Sequence, residues 1–185
     1  MFNLHTGREK DDKKVDKNTA EAFARLYREH FPKVFRYISY RINDISTVED
    51  LTSAVFEKAI TKFASYREEK SSFGTWIITI ARNTIIDHYR SEQQKKEIHE
   101  EDLNFQNEAV SPDDAIICAE ERQLLQQCIS RLSPVEQEII SLKFGGEITN
   151  REIARQLGLS ESNVGVILYR AVRKLREFFR DNINE

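Results

Sequence analysis

The chain has 185 residues, 39% of them hydrophobic and 32% charged, with only 6 Gly and 3 Pro and a formal net charge of −3. So few turn-forming residues disfavour a strand-and-turn architecture and fit a helical protein of one large or two small domains. No apolar run reaches the roughly 20 residues of a bilayer-spanning helix, which argues against membrane insertion. The opening MFNLHTGREKDDKKVDKN lacks the apolar core and small-residue cleavage site of an export signal. Cys118 and Cys128 stand alone, without metal-site spacing, so a cytoplasmic location with two reduced thiols is expected. The small net charge conceals three blocks. Residues 1–90 carry 16 basic against 13 acidic side chains, residues 91–117 carry 2 against 8, and residues 118–185 carry 10 of each. Any binding of nucleic acid must therefore come from local basic faces.

In chain order, residues 1–17 mix both charge signs with little apolar content, which predicts a disordered tail. Asn18, with Glu21 three residues on, reads as a helix start, and Phe23, Leu26, Tyr27, Val34, Phe35 and Ile38 recur at helical spacing. Pro32 is expected to kink or divide that helix. Ser46 and Glu49 predict a capping box for the next one, with Leu51, Val55, Ala59 and Phe63 along one face. The polar ASYREEKSSF is a loop. FGTWIITIARNTIIDHYR, Phe73 to Arg90, reads as one helix. Its isoleucines can bury one side, while Trp76, Arg82, Asn83, Asp87, His88 and Arg90 crowd the same turns. A core helix with a wet face and a surface that handles nucleic acid both fit. A first domain over 18–90 is followed by an acidic linker over 91–114 and a second helical domain over 115–182. Ser133, Pro134 and Glu136 give the second domain a strong internal helix start.

The most specific pattern is ITNREIARQLGLSESNVGVILYRAVRKLREFF. Thr149 and Glu152 form a capping box, Ile148 and Ile153 a hydrophobic staple, and Gly158 a helix stop, after which Ser160 caps a second helix. Ile153, Leu157, Leu159, Val164 and Ile167 supply the apolar set for two helices crossing at a tight turn, with Ala154 small where they approach. This is the spacing of a helix-turn-helix, whose second helix enters a DNA major groove. An ordinary helical hairpin shares the capping but has no need of the small residue, turn glycine and five apolar positions together. In the DNA reading, Ser162, Asn163, Val166 and Tyr169 face base edges, and Arg170, Arg173, Lys174 and Arg176 reach phosphates.

VEDLTSAVFEKA, FGTWIITIARNTIIDHYR, the acidic linker, LSPVEQEIISLKF and NREIARQLGLSESNVGVILYRAVRKL, in that order, resemble a bacterial sigma factor of the sigma-70 family, extracytoplasmic-function group. The resemblance covers about Ala20 to Phe179. It implies an all-α fold in which the linker joins a region 2-like domain to a region 4-like domain containing the helix-turn-helix. It further implies that the first domain binds core RNA polymerase and opens the minus-10 element, while the second binds the minus-35 element. By the same resemblance Asp50, Leu51 and Phe56 dock on the clamp of the polymerase's largest subunit. Tyr66, Lys70, Ser71 and Ser72 lie where a flipped minus-10 base is captured, and Trp76, Arg82, Asn83 and His88 face the melted DNA. An anti-sigma protein is a further partner that the family implies. One departure is GVI at Gly165–Ile167, where the family often carries a polar or basic run.

Two other classes fit less well. A helix-turn-helix regulator acting without polymerase has no reason to carry DLTSAVFEKA or the Trp76 helix. An enzyme would need a nucleophile motif, a phosphate-cradling glycine loop or metal-ligand spacing. Asp87–His88 and the string His99, Glu100, Glu101, Asp102 supply none of these, so no catalytic residue, metal or cofactor is expected.

Overall fold

The computed structural model describes residues 17–98 and 123–183, and every regular element among them is helical. The first region comprises α1 (Lys17–Ser39), α2 (Ile45–Lys62) and α3 (Phe73–Ile98). The second comprises helical residues 123–130 (α4), α5 (Pro134–Ile140), α6 (Asn150–Leu157) and α7 (Glu161–Ile183). The tail to residue 16 and residues 99–122, which hold most of the expected linker, the start of the expected second domain, Cys118 and the His99–Asp102 string, lie outside the described residues.

Four local expectations need correction. α1 runs through Pro32 unbroken. Arg28 and Pro32 are both exposed, so the Arg28 carbonyl that loses its N–H partner can turn to water, while Phe31 and Val34 hold the other side in the core. α2 is capped by Asp44, whose carboxylate accepts from the Thr47 amide at 2.8 Å, two residues before the expected Ser46. Asn18 is the second residue of α1 and not its N-cap. α3 also continues past Arg90 to Ile98, into the segment read as linker. That extension, SEQQKKEI, contains no Gly or Pro and is rich in good helix formers.

The two regions share one core. Val34, Tyr37, Ile38, Val55, Phe56, Ile77, Ile78 and Ala81 pack in a continuous cluster with Ile139, Leu142, Ile148, Ile153 and Val164. Burying one such aliphatic side chain contributes roughly 1.5–3 kcal/mol. A smaller cluster of Ile129, Leu132, Ile140 and Ala171 ties α4 and α5 to α7. After α5 the chain makes a π-type turn over Ser141–Gly145. That turn brings Gly145 so close to α1 that a Cβ there would stand 2.7 Å from the Tyr37 Cα. Only glycine fits this contact. Cys128 is free and buried, and burial pushes its thiol up, away from reactivity.

Candidate nucleic-acid interface

The helix-turn-helix forms as its sequence dictates. Thr149 accepts from the Glu152 amide while the Glu152 carboxylate accepts from the Thr149 amide, closing the box at the start of α6. Gly158 ends α6 at φ +67°, a conformation that side chains with a Cβ resist. The Ser160 hydroxyl accepts from the Asn163 amide and starts α7, and Ile153, Ala154 and Val164 are buried between the helices. This leaves Ser162, Asn163, Val166, Tyr169, Arg170 and Arg173 exposed on one helix. Tyr169 is the most prominent at 70% exposure, with Val166 at 47%. Beside them Gly165 faces open space, which deepens the surface between the two.

Lys174 departs from its expected role. Its ammonium donates to both Glu136 oxygens, at 2.8 and 3.1 Å, bracing α7 against α5. Burial pushes the Glu136 carboxyl up, but Lys174 and Ser133 outweigh that effect and hold it below its ordinary value. Among the described residues Arg173 makes a long i,i+4 pair with Glu177, at 3.7 Å, and its side chain is exposed.

In the first region, Tyr66 and Trp76 belong to an aromatic group with Phe63 and Phe73. The Tyr66 and Trp76 centroids are 5.2 Å apart, and those of Phe73 and Trp76 5.3 Å. Both Tyr66 and Trp76 are half-buried, so one edge of each supports the core while the other faces out. The Tyr66 hydroxyl donates to the Ser71 carbonyl at 3.1 Å and closes the 66–72 loop, on which Lys70 and Ser72 are exposed. Ser72 then bonds Thr75 at the start of α3.

α3 separates its polar residues onto two sides. Asn83, Asp87 and Arg90 line a cleft of about 520 Å³ with Lys58 and Lys62 of α2, and Lys58 reaches Thr84 at 3.1 Å and Asp87 at 3.8 Å. Arg82 points the other way, to Glu138 of α5 at 3.2 Å. His88 is half-buried beside Tyr89. The structure therefore does not bring Arg82, Asn83 and His88 to one face. Lys58 and Lys62 were missed by the sequence reading, although they stand four apart on the α2 turns that face α3.

Of the three expected docking residues, Phe56 is a core side chain. It is 5% exposed and packs on Tyr27 with centroids 4.5 Å apart. Asp50 is exposed and Leu51 half-buried, so these two alone offer a surface. Phe56 is withdrawn.

The contacts that sequence could not reveal lie between the regions. Glu138 accepts from the Tyr37 hydroxyl at 3.0 Å and from Arg41 and Arg82. Glu147 pairs with Lys33 at 2.9 Å and Arg36 at 2.5 Å, and these two bases hold its carboxyl below the ordinary value. Glu147 also sits at φ +56°, a left-handed geometry uncommon for a side chain with a Cβ. The Thr75 hydroxyl donates to Glu152. These partners are 56 to 114 residues apart in sequence and share no local signal.

The fold and its exposed faces define an all-helical, two-region protein with a helix-turn-helix in the second region. Residues 26–95 match the family model described as Sigma-70 region 2, and residues 122–175 match Sigma-70, region 4. The chain belongs to the sigma-70 family of RNA polymerase sigma factors, in its extracytoplasmic-function group. It is 35% identical to the ECF RNA polymerase sigma factor BldN of Streptomyces coelicolor over 88% of this chain and 62% of that protein, so it spans less than two thirds of BldN. It is 31% identical to the RNA polymerase sigma factor YlaC of Bacillus subtilis, over 82% of this chain and 88% of that one. Its fold matches the sigma factor RpoE solved with the anti-sigma factor NepR from Bartonella quintana, at TM-score 0.64 and 19% identity over 86% and 98% of the two chains.

Proposed function

We propose that this chain directs promoter-specific initiation by core RNA polymerase. The first region holds the polymerase and opens the minus-10 element, and the second reads the minus-35 element. The observation that carries this reading is the pairing, in one chain, of a region 2 match with a fully capped helix-turn-helix. A regulator working without polymerase would need only the second.

Ser162, Asn163, Val166 and Tyr169 read base edges in the major groove, Asn163 by paired hydrogen bonds to adenine and Val166 against a thymine methyl. Arg170 and Arg173 fix register on phosphates. In the first region the outward edges of Tyr66 and Trp76 offer stacking surface to unpaired bases, and the 66–72 loop with Lys70, Ser71 and Ser72 takes the flipped one. Asn83, Arg90, Lys58 and Lys62 line the cleft that follows the separated backbone. Asp50 and Leu51 meet the polymerase clamp. The chain contributes no catalysis and works in the cytoplasm, where polymerase and chromosome are. An anti-sigma protein is a further partner on the family's precedent.

The test is reconstitution. Purified chain is mixed with bacterial core polymerase, co-elution is scored, and the 5′ ends of transcripts from fragmented genomic DNA are mapped. Discrete starts sharing two spaced motifs are the expected result. A well-folded sample giving neither co-elution nor specific starts would return the chain to the class of conventional regulators.

A further inference from the structure

Behind the loop assigned to the flipped minus-10 base lies a histidine that none of the sites above uses. His30, on α1, is 7% exposed. Its ring packs on Phe73 with centroids 5.1 Å apart, and Phe73 in turn meets Tyr66 at 5.5 Å and Trp76 at 5.3 Å. The imidazole lies against the first turn of α3, where a Cβ on Gly74 would stand 3.2 Å from its Cε1. A glycine at that position leaves the room that the ring fills. His30 thus stands under the point where the 66–72 loop, closed by the Tyr66–Ser71 hydrogen bond, passes through Ser72 into α3.

This setting suits a neutral ring. The His30 Nδ1 is buried and has no hydrogen-bond partner among the described residues. A second ring proton would give it an N–H with no acceptor and no access to water, which costs free energy. The added charge would also face the unpaired amides and positive dipole end of α3. Lys33, one turn along α1, opposes that charge as well, while Glu29 at 3.6 Å and Glu147 from the turn before α6 favour it. Glu68 of the loop and Glu152 of α6 line the same cleft. Burial outweighs the acidic neighbours and holds the imidazole below its ordinary value.

We propose that His30 is a positioning residue for the minus-10 capture loop: its neutral ring props Phe73, and through it Tyr66 and Trp76, and uptake of a proton withdraws the prop. Capture of a minus-10 base then weakens on acidification. The minus-35 surface on α7 contains none of these residues and keeps its affinity. The proposal rests on the sigma factor reading above, which supplies the role of the loop.

Trp76 is the only tryptophan in the chain, so its emission reports on this aromatic group directly. Full-length wild type, His30→Phe and His30→Gln are titrated from about pH 8 to about pH 5, a range in which histidine changes charge, with circular dichroism confirming retained helix. Wild type should show one sigmoidal change in emission centred below the ordinary histidine value, about 6.5, and both variants should lack it. Each chain is then assembled with core polymerase and titrated, at the two ends of that range, with a single-stranded minus-10 oligonucleotide from the mapped promoter. A minus-35 duplex is titrated against the free chain. On acidification wild type should lose about threefold in single-strand affinity, the mark of roughly two thirds of the chains leaving the competent form. Single-strand binding by the variants, and duplex binding by every chain, should change less than about twofold over the same range. Variants that keep the emission step, or a wild-type step with no loss of single-strand affinity, would overturn the proposal. If one variant loses helix, the other decides. Absence of specific starts in the reconstitution would remove the parent reading, whereas an emission step retained in the variants would remove the prop even where the parent reading holds.

Discussion

At the scale of single residues, burial sorts the exposed contacts from those the fold has claimed. Among the described residues the Asn163 and Arg170 side chains are exposed on α7, whereas Lys174 braces Glu136. Asn163→Ala should therefore cost about 1–3 kcal/mol of discrimination at one base position, measured by competition between promoter variants. Arg170→Ala should weaken all sequences alike and flatten the salt dependence. Lys174→Ala should leave DNA affinity within twofold and instead lower the unfolding midpoint, because it strips the partner from a carboxylate only 10% exposed. Asp50→Ala should reduce core polymerase binding and spare promoter DNA. A Lys174→Ala protein with normal stability and poor DNA binding would reverse its assignment.

At the scale of elements, the starts and stops of helices decide what sequence can reveal. The boxes at Ser133/Glu136 and Thr149/Glu152 and the stop at Gly158 are complete within four residues, and all three form as their spacing dictates. Pro32 does not divide α1, because its cost depends on whether water can reach the freed carbonyl, which is a tertiary property. The burial of Phe56 is not legible in sequence, because an amphipathic stripe cannot show which of its two apolar edges faces the aromatic group of Tyr27 and Phe31. Replacing Gly158 by Ala forces a Cβ into the left-handed region and should destabilise the fold by roughly 1–2 kcal/mol, read by urea denaturation. The boxes also carry a pH dependence. In Glu152, burial raises the carboxyl but bonds from Thr149 and Thr75 outweigh it, so Glu136, Glu147 and Glu152 are all held below the ordinary carboxyl value. A carboxyl depressed by folding stabilises the folded state above its unfolded value and loses that contribution as pH falls through the folded value. Their contribution to stability should thus be level above the ordinary glutamate value, about 4.3, and decline as pH falls below it. In Glu152→Gln, which keeps the cap but cannot titrate, the decline should be shallower. An equal slope in that variant would remove Glu152 from the account.

For the whole molecule, the shared core makes the two regions thermodynamically one unit. Residues separated by the linker, Tyr37 and Ile78 on one side and Leu142 and Ile153 on the other, are buried in the same cluster, so neither region can unfold without exposing apolar surface of the other. Such coupling predicts a single calorimetric transition for the wild-type chain, with van't Hoff and calorimetric enthalpies equal. Gly145→Ala attacks the contact and no residue inside either region's own packing, since its added Cβ meets the α1 backbone at Arg36 and Tyr37. The variant should resolve into two transitions at lower temperature, each keeping its own helices. Two transitions in the wild type would mean that the interface contributes too little to couple the regions. A single transition in both proteins, with equal midpoints, would mean that α1 yields to the methyl group and the turn is not the point of closure.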